Sequence, residues 1–120
     1  MNDEQTIKRL VNLVIGLTEK TTKGPDSSRL KWEKVGSDTY EISLIRTSLR
    51  IGTEASPGEY PYIFTVLDET GSVIERLRED HDSPDYHLAE LHGAASRSYT
   101  GIDEKLDEIF SELGINEPPF

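Results

Sequence analysis

The apolar residues of this chain change period twice, and that change limits the possible folds more than any single motif does. Ile7, Leu10, Val11, Val14 and Leu17 step by threes and ones, a stripe one helical face wide. From Leu30 to Leu77 the period is two. After Ser83 a helical phase returns in Leu88, Leu91, Ala95, Ser98, Ile102, Leu106, Ile109 and Leu113. Helix, strands, helix is the order of an α+β domain, and 120 residues suffice for one such domain, 1–120.

Punctuation sets the boundaries. Asn2 and Gln5 form a capping box that starts the first helix near Asp3, and Gly24-Pro25 ends it, so the spacing predicts a helix over about 3–23. Leu30, Trp32 and Val35 lead to a turn at Gly36-Ser37-Asp38. Tyr40, Ile42 and Leu44 then alternate with polar residues, as do Leu49 and Ile51. These segments read as three antiparallel strands, each with one buried face. Tyr62 to Leu67 is apolar on both faces and belongs inside the sheet. Asp68-Glu69-Thr70-Gly71 has the form of a type I turn closed by a left-handed glycine, with Ser72 to Leu77 returning as its partner. The expectation is a five-stranded antiparallel meander over about 30–77.

Ser83-Pro84-Asp85 combines a capping serine, a proline at the first helical position and an acid in the first turn. The phase that follows runs through Gly93 and Gly101, which favours one long helix over about 84–113, packed on one face of the sheet and capped by Gly114. Two helices breaking at Thr100-Gly101, with Thr100 and Asp103 as a second cap, is the alternative. An unbroken helix of that length, about 45 Å, overhangs a domain whose diameter is roughly 35 Å. Its outer positions Leu106, Ile109, Phe110 and Leu113 would need covering, and a homodimer through them is expected.

Thirteen basic against twenty-three acidic side chains leave a net charge of −10, which argues against direct binding to nucleic acid. The imbalance is local. Residues 1–50 hold nine bases and seven acids (+2), whereas residues 51–120 hold four and sixteen (−12). The segment 79–90 has five acids and no Lys or Arg, so Asp80, Asp82, Asp85 and Glu90 are candidates for binding a basic partner protein. The plainer reading is a solvated face that favours solubility. Cysteine is absent, which removes disulfides and thiol chemistry and fits a reducing compartment. No apolar run approaches a membrane span and no basic start precedes an apolar stretch, so a cytoplasmic protein without membrane contact is expected.

All three histidines fall between His81 and His92, beside several carboxylates. His87 and Glu90 share a helix face, but His92 is turned from His87 by about 140°, so the two imidazoles cannot form a tight pair. Metal binding would need His81 or Asp82 to fold back over His87 and Glu90. The spacing matches no zinc signature, and neither a metal nor another cofactor is expected. Ser83 with Asp82 and His81 or His87 lacks a nucleophile elbow and an oxyanion hole. Trp32 and Tyr40 with Arg46 and Arg50 read either as sheet core with its rim or as a small aromatic and basic patch for a phosphate or an acidic peptide.

Leu17-Thr18-Glu19-Lys20-Thr21, Leu30-Lys31-Trp32-Glu33, the Tyr-bearing strand after them and Tyr62 to Gly71 resemble a group of small uncharacterised bacterial and phage-borne α+β proteins. The resemblance implies the helix, meander, helix architecture and no catalytic activity. The reading that follows is a non-enzymatic protein-interaction module, an accessory, immunity or anti-defence factor. An acidic mimic of nucleic acid and a metal-dependent enzyme using the His81–His92 segment are the alternatives.

Overall fold

In the computed structural model, which describes residues 4–116, the elements follow the predicted order. Helix α1 is Glu4–Thr22, followed by a single 3-10 turn, Asp26–Ser28. Five strands come next: β1 Glu33–Gly36, β2 Thr39–Ser43, β3 Thr47–Thr53, β4 Tyr62–Asp68 and β5 Val73–Glu79. Helices α2, Leu88–Thr100, and α3, Ile102–Leu113, complete the chain. The sheet is an antiparallel meander in sequence order, β1-β2-β3-β4-β5.

Leu10, Val14 and Leu17 of α1 are buried as their spacing requires. The capping box at Asn2 and the start near Asp3 lie outside the described residues. Tyr40, Ile42, Leu49, Ile51, Tyr62, Phe64 and Leu77 point to the helical side and join Leu88, Leu91 and Ala95 of α2 in one core. Helix α2 lies across β2, β3 and β4, and α1 packs alongside it, which leaves the other sheet face without a helix. Strand β4 is interior, between β3 and β5, and also buries Thr65 and Leu67. The Asp68 carboxylate accepts the N–H groups of Thr70 and Ser72, both at 2.9 Å, and Gly71 takes the expected left-handed conformation at φ 88°.

Three expectations need correction. Leu30 and Trp32 are not in a strand, because helices take up their backbone groups instead. Leu30 N–H donates to Lys20 O, Trp32 N–H donates to Ser98 Oγ, and the Ser98 hydroxyl donates back to Leu30 O. The Trp32 ring fills the core, with its indole N–H donated to Thr21 Oγ1 at 2.9 Å. Strand β1 is therefore only four residues long and exposed throughout, Val35 included.

The long C-terminal helix is broken. Gly101 adopts φ 65° and its N–H bonds to Arg97 O, the single-bond left-handed helix stop. Helix α3 restarts at once without a side-chain cap, since the Thr100 hydroxyl donates backwards to Arg97 O. Nor does α2 start at Ser83. Its entry is His87, the one non-glycine with positive φ among the described residues, and no local side chain caps it. Ser83 instead closes a turn with Asp80 through two side-chain bonds of 3.1 Å. Helix α3 projects, and the longest dimension reaches 54 Å.

Candidate functional site

The β5–α2 corner carries the acidic segment and two of the three histidines. Glu79, at the end of β5, is buried, and its Oε1 accepts the N–H groups of Tyr86 at 2.7 Å and Leu88 at 3.4 Å. This carboxylate supplies from a strand the cap that α2 lacks locally. Beyond it, His87 N–H donates to Asp85 Oδ1 at 2.9 Å, and His87 Nδ1 lies 3.2 Å from Glu90 Oε1. One potential ligand atom from each of Asp85, His87 and Glu90 falls within 4.8 Å of the others. The hydrogen bond to Glu90 and the charge of Asp85 hold the His87 imidazole above its ordinary value despite some desolvation. Asp80 is half-buried, while Asp82, Asp85 and Glu90 are exposed.

The His81–His92 segment does not assemble as one constellation. His81 leaves for the Tyr60 ring, with centroids 4.6 Å apart, and His92 turns into the protein. The partner that joins His87 and Glu90 is Asp85, not His81 or Asp82.

His92 belongs to a buried polar cluster that no motif announces. Its Nε2 sits 3.1 Å from Asp38 Oδ1, within ion-pair distance but too poorly aligned for a hydrogen bond. The ring packs edge-on to Tyr40 and tilted against Tyr62, at centroid distances of 5.7 and 5.4 Å. Asp38, in the β1–β2 turn, also accepts the Thr53 hydroxyl and the Gly58 N–H. Burial pushes its carboxyl up, but those two bonds and His92 outweigh burial and keep it below the usual carboxylate range. The cluster ties the β1–β2 turn, the end of β3, the β3–β4 loop and α2 together. One signal was legible: His92 lies four residues after Leu88 and three before Ala95, on the apolar face of α2.

Trp32, Tyr40, Arg46 and Arg50 do not form a patch. Trp32 and Tyr40 are core residues, and Arg46 lies in the β2–β3 hairpin. Arg50 pairs in register with Glu41 on the helix-free sheet face, its Nε 2.6 Å from Glu41 Oε1.

Helix α3 presents the remaining candidates. Leu106, Ile109 and Leu113 are 39, 47 and 66% exposed, Phe110 is half-buried, and among the described residues α3 has no buried side chain. Its first turn is tethered to the body by Arg97–Asp103 and by Lys31 Nζ–Glu104 Oε1 at 3.2 Å.

These features define an α+β domain with its helices on one face of a five-stranded meander and a projecting amphipathic arm. No protein-family model matches the chain, and comparisons with curated proteins and with solved structures find no match.

Proposed function

We propose that this chain is a non-enzymatic protein-interaction module that engages its partner through α3. The observation that carries the reading is the apolar stripe Ile102, Leu106, Ile109 and Leu113, which is exposed and which no element among the described residues covers. A helix that contributes nothing to the core yet keeps an apolar face has that face available for another surface. The test is photo-crosslinking in the native cell from a reactive side chain at Ile109, with Thr39 on the helix-free sheet face as the control position. A discrete adduct at Ile109 and none at Thr39 is expected. Equal, diffuse labelling at both positions overturns the reading.

A second reading, a metal-dependent activity at Asp85, His87 and Glu90, is favoured by the convergence of their ligand atoms within 4.8 Å. Calorimetric titration of wild type and His87→Ala with zinc and with manganese tests it. Stoichiometric heat lost in the variant would support this reading, and its absence would remove it.

A further inference from the structure

We infer that the partner docked by α3 is a basic amphipathic helix. The inference rests on the interaction reading above and adds the chemistry of the occupant.

The stripe residues are spaced 4, 3 and 4, the register of a left-handed helix-helix seam. At about 100° per residue they fall within a narrow arc of the helix. Glu104 lies on nearly the opposite side, and it is Glu104 that pairs with Lys31 of the body. The stripe is thereby turned away from the sheet, toward whatever approaches α3 from outside.

Charge selects the kind of helix. Helix α3 carries Asp103, Glu104, Asp107, Glu108 and Glu112 against Lys105 alone. Asp103 and Glu104 are used by the body, and Lys105 lies 3.5 Å from Glu108. Glu112 and Lys105 flank one side of the stripe and Asp103 and Phe110 the other, while the exposed Asp107 and Glu108 lie farther round the helix. A second copy would bring the same acidic helix and another ten net negative charges. A partner with apolar residues at matching spacing and a net positive charge satisfies both the stripe and the acidic helix that carries it.

The probe is a capped amphipathic peptide with leucines at seam spacing and lysines beside them, titrated into the full-length protein alongside an isomer with glutamates in place of the lysines. Binding of the lysine peptide only, weakening about tenfold between about 50 and 300 mM salt, is expected. Leu106→Ser with Ile109→Ser should abolish it while leaving the melting temperature nearly unchanged. Asp107→Asn with Glu108→Gln and Glu112→Gln should flatten its salt dependence. Equal binding of both peptides, lost with the serine variant, would overturn the basic partner and leave the interaction reading standing. Concentration-dependent dimerisation lost in the serine variant would do the same, with a second copy as occupant. Binding that survives the serine variant but fails with Asp80→Asn, Asp82→Asn and Asp85→Asn would move the contact to the β5–α2 corner and overturn the inference. Binding of neither peptide would overturn the inference, and a discrete crosslink at Ile109 would then still leave the interaction reading standing.

Discussion

Asp38 and His87 show how differently two titratable side chains behave according to their surroundings. Asp38 is buried and held below its ordinary value, so its contribution to stability is present above the unfolded value of about 3.9 and is lost as pH falls through the lower folded value. Asp38→Asn should cost about 1–3 kcal/mol at neutral pH, because Thr53 and Gly58 lose a charged acceptor and His92 a nearby carboxylate. It should also flatten the loss of stability below about pH 4, as read by urea unfolding across a pH series. His87 has the opposite sign. Its raised value means that pairing with Glu90 is present below the unfolded value of about 6.5 and lost as pH rises through the higher folded value. The group is solvent-accessible, so the effect on global stability is small. The direct measurement is the NMR titration of the imidazole, whose midpoint should fall toward the ordinary value in Glu90→Gln. The sequence places Glu90 on one helix face with His87, whereas Asp85, expected in the first helical turn, lies before α2. The burial of Asp38 is not evident from sequence, since a turn residue between Ser37 and Thr39 gives no local sign that a helix 54 positions later will cover it.

At the scale of elements, both ends of α2 are decided by something other than the phase of its apolar residues. The start is held by Glu79, so Glu79→Ala should cost about 1–3 kcal/mol by leaving the N–H groups of Tyr86, just before α2, and of Leu88, its first residue, without their acceptor. Glu79→Gln, which keeps an oxygen, should cost less, and denaturant unfolding of the two variants checks the order. The end is held by Gly101 in the left-handed region, where any other residue is strained. Gly101→Ala should therefore lose about 1 kcal/mol by the same measurement, or else add helical signal in circular dichroism by joining α2 to α3. An unchanged midpoint and unchanged helicity together would mean that the break does not depend on the glycine. A continuous helix was the natural reading because the phase is equal on both sides of Gly101. Hydrophobic phase records which residues share a face and not whether the axis continues. The pairs Arg97–Asp103 and Lys31–Glu104 hold the arm in its turned position, and the second joins residues 73 positions apart.

For the molecule as a whole, α3 adds no buried side chain to the core among the described residues. The radius of gyration, 15.9 Å, exceeds the roughly 13.5 Å of a compact 120-residue domain because α3 projects rather than packs. A chain ending at Thr100 should unfold within about 5 °C of the full-length protein, since it loses no buried side chain of α3. A much larger drop in calorimetry would show that the arm supports the core. The sequence by itself determined the α+β class, the meander, the turn at Asp68–Gly71 and the inward face of α1, because period, turn chemistry and capping are relations among near neighbours. Only the tertiary structure decided that Trp32 leaves the sheet for Thr21 and Ser98, that Glu79 caps a helix, that His81 turns to Tyr60 and His92 to Asp38, and that Gly101 bends the chain. The first three depend on whether a polar or apolar group finds its partner in another element, and the last on Gly101 entering the left-handed region. The free energy of leaving such a group buried and unpaired, about 1–3 kcal/mol, is enough to override a local preference worth a few tenths.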